Sequence, residues 1–478
     1  MTNLSLDYQQ NADQINDLLG IDYSFDIDTR DFLIQGHRIR LYFLTFMIDG
    51  ALLTEVIDGL LKFEINTSNN QNTFFNSLLA NISYHAVGVT KEIDSVVNSV
   101  LNGLVAIIVE NSDEAITLDI RKYPGRSIAE PDSEKVVRGS RDGFTENFAI
   151  NIALVRRRIR TGKLRMEYHQ VGKVSKTDLC LTYIDGYVDQ KIIDYVKLRL
   201  KQIDTDEITM SDKALEELLL ESNFSPYPLV RYTERPDTLS VHLYQGMFAI
   251  IVDTSPSVIL GPVSIFDHMQ HAEEYRQTPL AGTYLRILRF IGIFASFLLI
   301  PLWFALLSSR DIIPAFFRGL FEIGDDTRTE VFFQIILAEV GIEFLRMASI
   351  HTPNSLSTAM GLVAGVIIGE IAITVGLFTE IIVLLGSISA IGSYITPSYE
   401  LSLANKISKL LLLIGILFFD IWGLIGGLIL LFIYLASLKS FTRPYLYPLV
   451  PFKLGKLVRQ VIRFPYTMRP FSKNKKKN

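Results

Sequence analysis

The sequence predicts an α/β region of two subdomains followed by an α-helical transmembrane domain, and three observations carry that division. Up to about Gln277 charges are dense, and no apolar run approaches the ~20 residues needed to cross ~30 Å of hydrocarbon at ~1.5 Å per residue. From Leu285 onward such runs dominate. Charge is also polarised along the chain: residues 1–60 hold ten Asp and Glu against three Arg, whereas residues 439–478 hold eleven Lys and Arg and no acid. The mean hydropathy of +0.28 and the formal charge of −5 average over these opposites.

The domain order expected is an N-terminal α/β subdomain over 1–139, then a second α/β subdomain with a juxtamembrane helix over 140–277. A helical transmembrane domain over 278–438 and a basic tail over 439–478 follow. A basic tail beside the last span belongs on the cytoplasmic face and can grip anionic membrane lipid. The first residues have neither the basic start nor the apolar core of a secretory signal, so the region before Leu285 is expected to be cytoplasmic as well. A single cysteine, Cys180, excludes an internal disulfide and a thiolate metal cage. No cofactor is expected.

In the α/β region, Leu104–Val109 is a short apolar run bounded by Gly103 and Glu110, as a buried strand would be. Ala115–Ile120 reads as a second strand, and Arg165–Val171 and Asp178–Tyr183 as two more. Phe144–Ile159 carries a helical period through Phe148, Ile152, Val155 and Ile159. Asp189–Leu200 and Lys213–Glu221 read as helices. The stretch Gly103-Leu-Val-Ala-Ile-Ile-Val-Glu-Asn-Ser112 recurs as Gly246-Met-Phe-Ala-Ile-Ile-Val-Asp-Thr-Ser255, 143 residues on. Either two unrelated buried strands share a few residue types, or the two subdomains are related.

The membrane half holds five apolar segments, at 285–307, 331–348, 356–376, 380–395 and 407–438. With both ends on one face the crossings must be even, so four to six segments are expected with one broken or re-entrant. The segment 331–348 is the one expected to break. It carries Glu339, Glu343 and Arg346 at i, i+4 and i+7, one helical face that lipid would not accommodate. These three, with Glu370, are the candidate ion path. Gly361, Gly365 and Gly369, four residues apart, make a flat stripe for close helix packing. A buried Glu343–Arg346 pair holding the segment to a neighbour is the plainer alternative. Asp267, His268, His271 and Glu274 read as part of an amphipathic juxtamembrane helix rather than a metal site. Arg156-Arg-Arg158 reads as a solvated helix face. The chain has no phosphate-binding loop, zinc-protease motif, paired-cysteine motif or nucleophile elbow, so an enzyme is not expected. Nothing points to nucleic acid.

Gly139-Ser-Arg-Asp-Gly-Phe-Thr-Glu146, followed by Asn151-Ile-Ala-Leu-Val-Arg-Arg-Arg-Ile159, resembles the signature of the A subunits of spore germinant receptors. Tyr183-Ile-Asp-Gly186 and Pro397-Ser-Tyr-Glu-Leu401 extend the resemblance over nearly the whole chain. Ser140 stands where that signature has proline. Within the family, His268–Arg276, Arg289–Ser296 and Leu345–Pro353 set the chain nearer a sporulation-stage branch than the nutrient receptors. Ile342-Glu-Phe-Leu-Arg346 keeps the Glu and Arg of the receptor pattern and then diverges.

The resemblance implies a spore inner-membrane protein, forming a homo-oligomeric ring (a pentamer is one candidate) whose membrane domains enclose an ion path. A further small or transporter-like membrane subunit is an expected partner. The role implied is an ion-channel or channel-supporting subunit that amplifies cation release at germination. A nutrient-binding receptor A subunit is the alternative, and a secondary transporter a more distant one, since those folds carry more spans and inverted repeats.

Overall fold

A computed structural model describes residues 2–63, 74–123, 138–220, 224–308, 326–351 and 370–465, with isolated positions between them. Chain contacts divide the protein into two compact units. One is Met1–Asn223 with Val230–Pro262; the other is Phe224–Leu229 with Val263–Asn478.

The first unit passes twice through one order of elements. The first pass runs α1 (Tyr8–Leu19), β1 (Ile27–Ile34), β2 (His37–Leu44), α2 (Gly50–Leu61), α3 (Phe74–Asn81), β3 (Val87–Thr90), α4 (Ile93–Leu101), β4 (Val105–Val109) and β5 (Ala115–Leu118). The second runs α5 (Phe148–Arg158), β6 (Leu164–Val171), β7 (Thr177–Ile184), α6 (Gln190–Gln202), α7 (Ser211–Leu219), β8 (Arg231–Thr233), α8 (Pro236–Tyr244), β9 (Phe248–Val252) and β10 (Val258–Gly261). Each pass folds into a five-stranded antiparallel sheet, ordered β1-β2-β4-β5-β3 and β6-β7-β9-β10-β8. The recurring ten residues therefore hold the same place in both sheets.

Their local geometry also repeats. Gly103 and Gly246 both adopt positive φ, 92° and 84°, which only glycine enters without strain. The Gly103 amide donates to Val100 O and that of Leu104 to Ser99 O; Gly246 donates to Leu243 O and Met247 to His242 O. Past the strands, Asn111 and Thr254 turn the chain at φ 59° and 65°. All five residues of β4 and of β9 are buried. In the first sheet Ala106 and Ile108 face α1 and α4, while Val105, Ile107 and Val109 face α2 and α3. A strand covered on both faces loses the apolar–polar alternation and reads as one continuous apolar run.

The arginine run departs from the expected solvated face at Arg156 and partly at Arg158, while Arg157 is exposed. Arg156 is buried, and its guanidinium grips Asp26 through Nε (2.6 Å) and Nη2 (2.9 Å). Arg157 lies over the Tyr123 ring at 4.6 Å, and Arg158 pairs with Asp142 at 2.6 Å. Arg156 and Arg157 thus tie the second pass to the first.

The second unit is helical. After two short helices, α9 (Ile265–His268) and α10 (Ala272–Arg276), come α11 (Pro279–Leu306), α12 (Arg328–His351), α13 (Glu380–Ile395) and α14 (Tyr399–Ser437), with α15 (Leu454–Val461) beyond. Among the described residues, α11 and α14 are long and apolar enough to cross a membrane. That is two helices against the four to six segments expected. The segment 331–348 lies in α12 but carries three ionisable groups, most of 356–376 lies outside the described residues, and α13 has 16 residues.

The break is also not where it was expected. Residues 331–348 sit within one continuous helix, whereas α14 is interrupted at Asp420 (φ 52°, ψ −136°). There the chain reverses. A Cβ on Gly423 would overlap the Gly415 carbonyl, and one on Gly427 would press on Leu412. In a straight helix residues eight apart lie ~12 Å apart, so these contacts require two antiparallel arms, Tyr399–Phe419 and Ile421–Ser437. A second close approach joins α11 to α13, where a Cβ on Gly392 would overlap the Gly292 carbonyl and Ser389 Oγ donates to Ser296 O at 2.8 Å. Small residues at such crossings let helix backbones meet where no hydrophobic effect drives them together.

Candidate functional site

Helix α12 begins where Thr327 and Glu330 cap one another, the Thr327 amide donating to Glu330 Oε2 at 2.6 Å. From that start, helical spacing stacks Glu339, Glu343 and Arg346 on one face. The first arm of α14 runs antiparallel to that face and presents Lys409, Lys406 and Ser402 to it. Lys409 Nζ lies 2.6 Å from Glu339 Oε1, and Lys406 pairs with Glu343 Oε2. Arg346 Nε is 3.6 Å from the other Glu343 oxygen, and its Nη1 is 3.3 Å from Ser402 Oγ. Helix α13 closes the third side. Ser389 Oγ accepts from Lys409 Nζ at 2.9 Å, and Ser393 and Ser402 hydroxyls meet at 2.6 Å.

The result is a ladder of five ionisable side chains, two acids and three bases. The Lys409 side chain is 2% exposed and that of Glu339 11%. Packed charges of this kind demand partners, because an unpaired one would face several kcal/mol of desolvation. The ring of Tyr399 lies under the Arg346 guanidinium at 4.4 Å and screens that end of the ladder. A void beside Glu339, lined by Trp303, Ile335, Ile382 and Leu385 among others, measures about 10 Å³, too little for more than one water.

A second charged group sits at the turn of the α14 hairpin. Asp420 pairs with Arg328 at the start of α12 and accepts from Ser308 Oγ at 2.7 Å. Arg328 Nη2 also donates to Ile416 O at 2.6 Å.

Of the residues expected to form an ion path, Glu339, Glu343 and Arg346 do come together, but they face α14 in a paired ladder. Glu370 is exposed and makes no ion pair with the ladder among the described residues. Gly361, Gly365 and Gly369 lie outside the described residues. Close packing is instead seen at Gly292 with Gly392 and at Gly415 with Gly423. Sequence reasoning missed Lys406, Lys409 and Asp420. Their signal was present: Lys406 and Lys409, three apart, repeat on one helical face among Ser402, Asn405 and Ser408, and Asp420 is an acid in the middle of an apolar run.

The single amphipathic helix expected before α11 is instead two short helices, with Asp267 and His268 in α9, His271 capping α10, and Asp267, His268 and Glu274 buried. Among the described residues no cluster of metal-ligating side chains occurs. Asp267 closes a capping box with Ser264, while buried Glu274 meets Arg286 at 2.7 Å and also pairs with Arg289. The motif around 139–159 is likewise architectural. Asn151 brackets Thr145, accepting from its amide at 2.8 Å and donating to its carbonyl at 2.6 Å, and Asn147 caps α5.

The protein thus combines a two-pass α/β unit with a helical unit that holds a charge ladder and two helices long and apolar enough to cross a membrane. Residues 13–475 match the family model for the Bacillus/Clostridium GerA spore germination protein, and the chain belongs to that family. It is 46% identical over 454 residues to Stage V sporulation protein AF of Bacillus subtilis (strain 168), covering 95% of this chain and 91% of that one. Spore germination protein A1 of the same organism is 32% identical over 439 residues, 91% of this chain and 90% of that one. The crystal structure of the N-terminal domain of the A subunit of the Bacillus megaterium spore germinant receptor GerK3 aligns with 55% of this chain and 96% of its own. That alignment has 26% identity and a TM-score of 0.43.

Proposed function

We propose that this chain is a ring-forming ion-channel or channel-supporting subunit of the spore inner membrane, which amplifies cation release during germination. The ladder between α12, α13 and α14 carries this reading. Ionisable groups at membrane depth are expensive to place and typically mark ion or proton pathways. Here Glu343 is shared between Lys406 and Arg346, and the hydroxyls of Ser389 and Ser402 accept from Lys409 and Arg346 beside the carboxylates, with Ser393 bonded to Ser402. Such a seam can exchange partners at small cost, and a ring of copies would repeat it around an axis, as charged constrictions do in ion-selective pores.

One observation favours the nutrient-binding alternative. A shallow, open depression on the first unit is lined by Thr145–Ile150 and Asp253, whose carboxylate and amide groups could meet a small polar molecule. Reconstitution of the full chain in potassium-loaded liposomes separates the two readings. Efflux that rises with the cross-linked ring population supports the channel reading. Absence of efflux, together with saturable binding of a nutrient that Asp253→Asn abolishes, would replace it.

A further inference from the structure

Helix α15 is amphipathic. Leu454, Leu457, Val458 and Val461 fall at i, i+3, i+4 and i+7 on one stripe, and Lys453, Lys456 and Arg459 fall on the other side. No residue of this helix is buried, Leu454 is 61% exposed, and Phe452 just before it is 64% exposed. An apolar stripe on an eight-residue helix does not stay helical in water on its own account.

Its position is fixed by the first turns of α11. Arg286 Nη1 donates to the carbonyls of Arg459 (3.2 Å) and Gln460 (3.1 Å). The Arg463 amide donates to Thr283 Oγ1 at 3.1 Å, and Arg463 Nη2 to Tyr275 O at 2.7 Å. The long apolar run of α11 starts at this level, around Leu285. A helix that enters hydrocarbon there puts the polar–apolar boundary of the bilayer at the same height, and α15 is tethered to it.

We infer that α15, with Phe452, lies in the surface of a bilayer rich in anionic lipid, its apolar stripe among the upper acyl chains and its bases among the headgroups. Charge complementarity selects this occupant: three cations flank the stripe and no acid does, whereas a partner protein covering an apolar stripe would not need them. The carbonyls held by Arg286 belong to the backbone, so the side chains can be changed without loosening the tether.

Cys180, the single native cysteine, is buried, so a cysteine placed on α15 can be labelled selectively. The full chain carrying Leu454→Cys is spin-labelled and placed in nanodiscs of phosphatidylcholine alone, or of phosphatidylcholine with phosphatidylglycerol. A second sample carries the label at Gly455→Cys. In the anionic discs the label at 454 should be relaxed by lipid-soluble oxygen and shielded from an aqueous nickel reagent, with the reverse at 455. Replacing Lys453, Lys456 and Arg459 together by Gln should reduce the docked-to-undocked ratio on the order of a hundredfold, from three surface charges lost. Equal water exposure at 454 in both lipids would overturn the inference. So would shielding that persists in detergent and rises with protein concentration, since a second copy would then be the cover.

Discussion

In the first unit Arg156 meets Asp26 through two hydrogen bonds and directs its remaining donors at the carbonyls of Thr161 (3.1 Å) and Leu164 (3.3 Å). In the second unit Glu343 divides itself between Lys406 and Arg346, and Lys409 reaches both Glu339 and a serine. Both regions bury charge, yet they bury it differently. A planar guanidinium fixed by a bidentate carboxylate has one geometry and no second place to go. Lys409 is held by one Glu339 oxygen and one serine hydroxyl, and Lys406 by a Glu343 carboxylate that Arg346 also approaches. The first arrangement ties Asp26 of the first pass to α5 of the second; the second spreads its charges over three helices.

The comparison is easiest to break at its rigid end. Asp26→Ala strands the Arg156 guanidinium in the interior and should destabilise the protein by ~3–5 kcal/mol, read as loss of full-length chain from the membrane and a lowered melting temperature. A normal level would mean that Arg156 is not the clamp. The helical reversal in the second unit is tested at its glycines. Gly423→Ala forces a methyl into the Gly415 carbonyl and should cost ~1–3 kcal/mol of stability, while Gly426→Ala, with nothing near its Cβ, should be silent. Equal behaviour of the two variants in thermal melts would argue for a straight α14.

The smallest effect concerns pH in the first unit. Burial pushes the Glu167 carboxyl up, but His169 at 3.8 Å, Lys197 at 2.7 Å and the Tyr183 hydroxyl donating at 2.6 Å outweigh it and hold its pKa at about 2. A carboxylate depressed in the folded state contributes stability that is fully present above its ordinary pKa and is lost as pH falls through that value toward 2. Glu167→Gln should therefore flatten the acid limb of the stability–pH curve below about pH 4.5 and leave neutral pH changed only by the lost pairing. An unchanged acid limb would mean that Lys197 and Tyr183 do not hold Glu167 ionised in the folded protein.

How much of this was legible in the sequence differed between the two units. The repeated turn–strand–turn could be seen because Gly103 and Gly246 impose the same backbone and a doubly covered strand leaves an unbroken apolar run. The Arg156 clamp could not, since Asp26 lies 130 residues away and nothing local distinguishes a buried arginine from its exposed neighbours. Half of the ladder was visible as the i, i+4, i+7 face of α12. The other half was hidden because Lys406 fell just outside the apolar segment and Lys409 just inside it. Gly415 and Gly423, eight apart, would lie ~12 Å apart on a straight helix; they meet because the chain reverses at Asp420. That reversal also divides the last apolar segment, 407–438, between two arms.

The most direct measurement pairs abundance with potassium release in spores whose germination depends on this chain. Lys409→Met alone leaves Glu339 buried without its partner and should deplete the protein from the membrane. Lys409→Met combined with Glu339→Gln removes both charges together and should restore the protein level. If the ladder serves ion movement, potassium release in the double variant should stay severalfold slower than in the unaltered protein at equal abundance. Release at the unaltered rate from spores holding a full level of the double variant would contradict the account and leave the ladder as packing alone.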